Sequence, residues 1–318
     1  MRSLSFAAAF VVVCVGVAAA PAWAGEKLSF PRQFKGDEIV VSGELLLPPG
    51  AGPFPAMVAV HGSGGVNKDL KKHYATALNA AGIAAYFPDS FGPRGVTRTV
   101  EDQSAVTVRD MIGDAYGALR ALAKDSRIKA DRIGVMGFSK GGTVTVQSAI
   151  ARVRKRTAEG DETFAVHVAF YPGCGSQFRE PATTGRPLLV MVGAKDTYTG
   201  TENCVAYVDA IKKAGGDVRL IVYPEAEHGW DGTTFWKNPR GENYRRCLFA
   251  ENADGTWTER TSGVQTNDAR GRPIPGAAGK AMATCRTLGV EGAAHGETKA
   301  QSLKELLDFI RGPLGLGG

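Results

Sequence analysis

Apolar and polar positions follow two recurring patterns along the chain, short apolar runs and longer segments with helical periodicity. Several runs, such as 55–62, are apolar at nearly every position, which is typical of a strand buried on both faces of a sheet. The strand-like segments are 38–48, 55–62, 83–90, 132–139, 163–173, 186–196 and 218–229. The helical segments are 68–82, 106–125, 141–156, 203–216 and 302–312. This alternation predicts an α/β fold with a mainly parallel central sheet and helices on both faces.

A segment of about residues 232–297 interrupts the alternation, because it is too long for a simple connection to the last helix. Within it, residues 245–260 predict a β-hairpin with Asp254 and Gly255 as its turn. We expect a single domain over 25–318, with this segment as an insertion. Two interpretations of the insertion stay open, a cap over the active site and an excursion on the surface.

The first 24 residues have a basic start, an apolar run and a small-residue ending. Ala22, Trp23 and Ala24 match the A-x-A cleavage pattern of a secretory signal peptide, so Gly25 is the predicted first mature residue. A membrane anchor is the alternative, although the apolar run is shorter than a typical membrane span. We therefore expect a periplasmic or secreted protein with no integral membrane anchor after cleavage.

Four cysteines follow the predicted signal peptide, an even number that fits disulfide formation outside the reducing cytoplasm. Their spacing alone does not choose among three possible pairings. We expect Cys174–Cys204, because both residues lie in loops after neighbouring strands. We also expect Cys247–Cys285, because this pair closes the segment 232–297.

The charged residues argue against a nucleic-acid partner. The formal net charge is +6, but the lysines and arginines are scattered along the chain. No cysteine pair has the spacing of a zinc finger, and neither a dinucleotide-binding G-x-G-x-x-G motif nor a P-loop accompanies the strands. We expect neither a metal nor an organic cofactor.

The stretch GFSKGG, residues 137–142, places Ser139 between a predicted strand and a predicted helix. In that context G-x-S-x-G is the pattern of a nucleophile elbow, a sharp turn that exposes a reactive serine. The backbone N–H of Lys140 would point toward an oxyanion at the start of the helix. Taken alone, the stretch is equally typical of a serine that caps a helix between tightly packed glycines.

A nucleophilic serine on this fold needs an acid and then a histidine later in the chain. His228 directly follows the last predicted strand, whereas His295 lies in a Gly/Ala-rich stretch outside any strand pattern. Asp196 comes just beyond a strand end and is the predicted acid, with a turn residue as the alternative. His167 lies inside an apolar strand and is expected in the core.

A second oxyanion donor is expected from the glycine-rich turn that follows an earlier buried strand. Residues 61–65 read HGSGG, and the backbone N–H of Ser63 is the candidate donor. The alternative is a glycine-rich turn that only leads into the next helix.

In order along the chain, VHGSGGVN, YFPDSFGPRG, GFSKGG, AFYPGCG, GAKD and YPEAEHGWD resemble the dienelactone hydrolase family of the α/β-hydrolase superfamily. The resemblance runs from about residue 42 to residue 231 and resumes near residue 298. It implies the α/β-hydrolase fold and a Ser-Asp-His triad. The chain departs from the family archetype at Ser139, where the archetype has cysteine, and at Gly62, where it has glutamate. A serine nucleophile favours ordinary ester chemistry.

Together these patterns predict a serine hydrolase that cleaves small-molecule carboxylic esters or lactones through an acyl-enzyme. Arg94, in the loop after a strand end, is a candidate for binding a substrate carboxylate, with a solvated surface arginine as the alternative. Trp236 and Tyr244 are candidates for substrate contact. The alternative functions are a serine peptidase resembling prolyl oligopeptidase catalytic domains and a non-catalytic binding protein on the same fold. The oligomeric state is not predicted.

Overall fold

The computed structural model of the chain describes residues 25–34, 37–158 and 160–317. The predicted signal peptide lies outside these residues. Within them, no helix has the length and apolar character needed to cross a membrane.

The secondary structure alternates as the sequence predicts over most of the chain. The strands are β1 Glu26–Phe34, β2 Asp37–Leu46, β3 Phe54–Val60, β4 Ala84–Asp89, β5 Ile128–Phe138, β6 His167–Phe170, β7 Ser176–Gln177, β8 Leu188–Gly193, β9 Val218–Tyr223, β10 Trp236–Asn243, β11 Phe249–Glu251, β12 Trp257–Glu259, β13 Gln265–Asn267 and β14 Thr287–Gly292. The helices are α1 Lys68–Ala80, α2 Val108–Ala123, α3 Lys140–Ser148, α4 Ala151–Thr157, α5 Glu202–Lys213, α6 Ala277–Cys285 and α7 Gly296–Arg311.

An eight-stranded sheet in the order β1-β2-β4-β3-β5-β6-β8-β9 forms the centre of the fold. From β4 to β9 each neighbouring pair is parallel, while β1 and β2 add antiparallel strands at one edge. The predicted α/β fold with a mainly parallel sheet is therefore confirmed. The carboxyl ends of the parallel strands meet at one edge, where ligands bind in such folds.

Strand β3 shows why the sheet is covered on both sides. Met57 and Ala59 pack with α1 and α7, and Val58 and Val60 pack on the opposite face with α2. All four side chains are buried. His167 lies fully buried in β6, as expected, and burial lowers its pKa to about 3, so the imidazole is neutral.

One predicted helix is two helices in the structure. The pattern over 141–156 breaks after Ser148, and α4 begins at Ala151. Between them Ile150 has an extended backbone, with φ −83° and ψ 122°, and forms an isolated bridge to Thr183. The side chain of Ile150 is buried in the core, so the apolar periodicity continues through the break and hides it in the sequence.

The segment 232–297 forms two small sheets beside the central one. Strands β10 and β14 pair with each other, and β13, β12 and β11 continue into β7. The predicted hairpin is formed by β11 and β12, with Gly255 in its turn at φ 82°. Because β7 follows β6 of the central sheet, the β7–β11 pairing attaches the segment to the rest of the fold.

Each of two disulfides joins a loop to a helix. Cys174, after β6, is bonded to Cys204 in α5. Cys247, before β11, is bonded to Cys285 at the end of α6. These are the pairs expected from the sequence.

Candidate active site

Ser139 occupies a sharp turn between β5 and α3. Its backbone has φ 54° and ψ −115°, a conformation that residues with a side chain rarely adopt. The turn needs glycine on both sides, because a Cβ on Gly137 would overlap the carbonyl of Gly141, and a Cβ on Gly141 would overlap that of Val60. The turn could therefore not form with larger residues at the two glycine positions of G-x-S-x-G.

A continuous line of hydrogen bonds joins three of the predicted residues. The Ser139 Oγ lies 2.9 Å from His228 Nε2, and His228 Nδ1 lies 2.8 Å from Asp196 Oδ2. His228 is in the turn after β9, and Asp196 is in the turn after β8, so neighbouring parallel strands bring them to the same edge. Both side chains are buried.

The Asp196 carboxylate is held by more than the histidine. Its Oδ1 accepts the backbone N–H groups of Tyr198 and Thr199, and its Oδ2 accepts the Thr199 hydroxyl at 2.6 Å. Burial alone would raise the pKa of Asp196. The nearby His228 and the hydrogen bonds from His228 and Thr199 outweigh burial and hold the pKa at about 2. The carboxylate is thus ionised at neutral pH.

Both predicted oxyanion donors lie beside Ser139. Lys140 is the first residue of α3, where backbone N–H groups lack a partner within the helix. Ser63 is in the turn after β3, and a Cβ on Gly62 would lie 3.3 Å from the Ser139 Cβ. The missing side chain at Gly62 therefore lets the HGSGG turn approach the serine closely.

His61 connects the HGSGG turn to the backbone of Ser90. The backbone N–H of Ser90 donates to His61 Nε2 at 3.1 Å, so Nδ1 carries the proton and donates to the carbonyl of Gly62 at 2.8 Å. Burial lowers the pKa of His61, which keeps the ring in this neutral form.

A cavity of about 350 Å³ opens at Ser139, large enough for a small organic ligand. Its floor is formed by residues of the turns at the carboxyl edge, and its opposite wall comes from the segment 232–297. The wall residues are Tyr244, Cys247, Phe249 and Met282.

Of the three residues predicted to contact the substrate, one lines this cavity and two do not. Tyr244 lines the cavity, and its hydroxyl donates to Glu242 at 2.9 Å. Trp236 does not line this cavity, although its ring centroid lies 6.2 Å from that of His228. The interpretation of Arg94 as a cleft residue is wrong, because the buried carboxylate of Asp114 in α2 binds its guanidinium through two hydrogen bonds of 2.8 and 2.9 Å.

Lys140 contributes a buried ammonium group that the sequence did not reveal. Its Nζ donates to the Thr99 hydroxyl at 3.0 Å and to the carbonyl of Gln103 at 2.9 Å. Burial lowers its pKa to about 8. Gln103 also accepts the Ser63 hydroxyl at 2.9 Å, so one loop residue connects the lysine to the HGSGG turn.

Asp231 is a second polar group that the sequence did not single out. Both of its oxygens accept tyrosine hydroxyls at 2.7 Å, from Tyr74 and Tyr171. Tyr171 also packs edge-on against the ring of His228, with centroids 4.8 Å apart. Asp231 thus anchors the loop that presents the histidine. Burial raises its pKa.

Among residues 25–34, 37–158 and 160–317, no group of three or more His, Cys, Asp or Glu side chains is arranged to hold a metal ion.

Comparison with known proteins adds independent support for the fold. Esterase EstD of Thermotoga maritima is 32% identical over 130 residues, 37% of this chain and 30% of EstD. A Bradyrhizobium protein to which the role of a 2-oxo-3-(5-oxofuran-2-ylidene)propanoate lactonase is ascribed is 26% identical over 202 residues, 58% of this chain and 77% of that protein. The chain thus spans less than a third of EstD.

The apo structure of Thermogutta terrifontis esterase 2 has a similar fold, with a TM-score of 0.52 and 18% identity over 66% of this chain and 87% of that one. The model of the dienelactone hydrolase family matches residues 41–242, which is more than half of the chain and runs from within β2 into β10, with Ser139, Asp196 and His228. The chain therefore belongs to the dienelactone hydrolase family.

Proposed function

We propose that this protein is a serine hydrolase that cleaves carboxylic esters or lactones through an acyl-enzyme at Ser139. The observation that carries the proposal is the line of hydrogen bonds from Ser139 through His228 to Asp196, which ends at an open cavity. Membership of the dienelactone hydrolase family, with an esterase and a lactonase among its similar proteins, supports the same chemistry.

In the acylation step, the Ser139 Oγ attacks the carbonyl carbon of the substrate while His228 Nε2 accepts the hydroxyl proton. The tetrahedral intermediate collapses when the bond to the alcohol oxygen breaks. His228 gives its proton to that oxygen, and the alcohol leaves. In a lactone the alcohol stays attached to the acyl group.

Deacylation repeats these steps with water as the nucleophile. His228 accepts a proton from the water as its oxygen attacks the acyl carbon, and then returns a proton to the Ser139 Oγ. The acid is released and the serine is regenerated.

The surrounding groups have separate roles in this cycle. Asp196 fixes the tautomer of His228 and balances the positive charge that the imidazole acquires. The backbone N–H groups of Lys140 and Ser63 donate to the oxyanion of each tetrahedral intermediate, aided by the positive end of α3. Their contribution grows only as the carbonyl oxygen gains charge.

We also propose that the protein works in the periplasm or outside the cell, as one domain with the segment 232–297 as part of its substrate pocket. The A-x-A pattern at residues 22–24 supports export, and two disulfides are typical of proteins in oxidising compartments.

The test is hydrolysis of p-nitrophenyl acetate by purified variants. We expect Ser139→Ala and His228→Ala to lower kcat/KM by roughly 10⁴-fold or more, and Asp196→Asn by roughly 10³- to 10⁴-fold, because the three groups act as one proton-transfer unit. Ser29→Ala, an exposed serine in β1, is the matched control.

Two outcomes would contradict the proposal. Near-wild-type turnover by folded Ser139→Ala would exclude this nucleophile. Cleavage of a peptide panel without hydrolysis of any ester would favour the peptidase alternative. Labelling by a fluorophosphonate probe, with the adduct mapped to Ser139 by mass spectrometry, measures activation of the serine without knowledge of the substrate.

A further inference from the structure

A second cavity of about 630 Å³ adjoins the one at Ser139. The two share Val108, Thr143 and Ser176 in their linings, so they form one continuous depression. One side of the second cavity belongs to α2, α3 and α4, and the other to residues 270–273 of the segment 232–297. We call it the arginine groove, because Arg109, Arg156, Arg270 and Arg272 line it.

The charge of the arginine groove is strongly unbalanced. Among the described residues that line it, none is Asp or Glu. Arg272 is paired with Asp268 at 2.6 Å, outside the lining, whereas Arg156 and Arg270 form no ion pair with any described residue. The groove therefore has positive charge that the described residues do not neutralise.

The arginines of α4 show that this imbalance is local to the groove. Arg152 is paired with Glu251, and Arg154 is paired with Asp161 at 3.0 Å. Arg156 instead faces the turn of the opposite wall, where a Cβ on Gly271 would lie 3.6 Å from its Nη1. The guanidinium of Arg156 and the turn that bears Arg270 thus approach each other across the groove.

Helix α3 gives the length scale of the continuous depression, because it runs from Ser139 along both cavities. Thr143 lies one turn beyond Ser139 and lines both cavities, and Gln147 lies a further turn along and lines only the arginine groove. Two turns of four residues correspond to about 12 Å. A ligand that reaches from the Ser139 Oγ into the groove needs an arm of roughly ten bonds.

Apolar side chains in the arginine groove suit an apolar arm of the ligand. Ile112, Val153, Phe178 and Pro273 line the groove together with its arginines. An aliphatic or aromatic chain placed there would be removed from water, while its far end would meet guanidinium groups that bind carboxylate or phosphate.

We propose that the Ser139 site is built for esters with a long apolar arm that ends in an anionic group, a carboxylate or a phosphate, bound between Arg156 and Arg270. This inference rests on the proposed function and adds its substrate class. The cavity at Ser139 is also suited to an anionic substrate. Lys140 is its charged lining residue, and no described acidic residue lines it.

The test uses p-nitrophenyl esters of ω-carboxy acids with arms of about four to twelve bonds, each beside its neutral partner with a methyl-capped carboxylate. A second series places the carboxylate on the alcohol side of an acetate ester, and a phosphate-terminated ester of the longest arm identifies the preferred anion. The readout is the ratio of kcat/KM for each anionic ester to that for its neutral partner, so that changes in overall activity cancel.

For arms of about ten bonds we expect this ratio to reach about tenfold in at least one series, and to be near one for the shortest arms. Arg156→Glu and Arg270→Glu should each remove the preference. Lys155→Glu makes the same charge change at an exposed position of α4 outside both linings, and it should keep the preference. Raising the salt concentration to about 0.5 M should weaken the preference in the wild type.

A binding measurement separates this inference from the proposed function. Monomethyl dodecanedioate and its dimethyl ester are titrated into the Ser139→Ala protein by calorimetry, which requires no turnover. Tighter binding of the anionic ester that disappears in Ser139→Ala/Arg156→Glu would support the arginine groove even if no ester were hydrolysed. Hydrolysis of p-nitrophenyl acetate with a ratio near one in both series, and equal affinities for the two dodecanedioates, would overturn the inference and leave the proposed function standing.

Discussion

Lys140 is buried, and neutral groups rather than a carboxylate accept the hydrogen bonds of its ammonium group. Its side chain is buried beside Ser139, and its hydrogen-bond acceptors, Thr99 and Gln103, are neutral. Removing an ammonium from water without a contacting carboxylate is unfavourable, which is why its pKa falls from 10.5 to about 8. This unfavourable burial occurs at the lining of the cavity that opens at Ser139.

The penalty predicts how stability depends on pH. Because the folded-state pKa lies below the unfolded-state value, the unfolded chain binds more protons between about pH 8 and pH 10.5. The wild type should therefore gain stability relative to Lys140→Met across that window, by up to about 3 kcal/mol. Urea unfolding of both proteins at pH 7, 8, 9 and 10 measures the difference. A difference that stays constant, or that moves in favour of Lys140→Met, would contradict the burial argument.

The sequence indicated the residues that depend on chain order and strand ends. Ser139, Asp196 and His228 each follow a strand of the parallel sheet, so the topology brings them to one edge. It did not place Arg94 correctly, because its partner Asp114 lies on α2 and no local pattern links the two. Gln103 was also missed, because it lies in an irregular loop whose contacts are made only in the folded chain.

At the level of elements, the periodicity of apolar positions predicted the helices and strands that have a continuous apolar face. Helix α7 begins at Gly296, six residues before the predicted start, because His295 caps it by accepting the Thr298 N–H. Strand β7 has two residues and no periodicity of its own, and it exists only because β11 pairs with it. The break before α4 depends in the same way on a bridge to a distant residue, Thr183. Elements defined by long-range pairing are thus invisible to a local pattern.

The Cys247–Cys285 disulfide connects the wall of the catalytic pocket to α6. Cys247 lines that pocket, and α6 also supplies Met282 to the wall. The cross-link closes a loop of 38 residues, for which chain entropy gives about 4 kcal/mol of stabilisation.

Replacing Cys247 and Cys285 by alanine should therefore lower the free energy of unfolding by about 4 kcal/mol or less. It should also lower kcat/KM more for bulky esters than for acetate, because bulky groups depend on an ordered wall. Urea unfolding and an ester series of increasing size test both effects. Unchanged stability together with an unchanged ester profile would show that the cross-link supports neither the fold nor the pocket.

For the molecule as a whole, export and the disulfides belong to one prediction. If residues 1–24 are a signal peptide, the mature protein begins at Gly25. Mass spectrometry of the protein from a periplasmic fraction should give an N-terminus at Gly25 and a mass four hydrogens below that of the reduced chain. An intact N-terminus, or four free thiols, would contradict export through a cleaved signal peptide.

The β7–β11 pairing has a consequence for how the enzyme is made. Its two strands are separated by α5, β8, β9 and β10, so the small sheet cannot form until most of the chain has been synthesised. Contacts between such distant residues are slow to form, because the loop between them must first lose its freedom. The strands that position Ser139, Asp196 and His228 precede β11 in the chain, whereas Phe249 of the pocket wall lies in β11 itself and Met282 follows it. We expect Ser139, Asp196 and His228 to come together before the pocket wall beside them is complete, so that a newly made molecule acquires its chemistry first and its selectivity last.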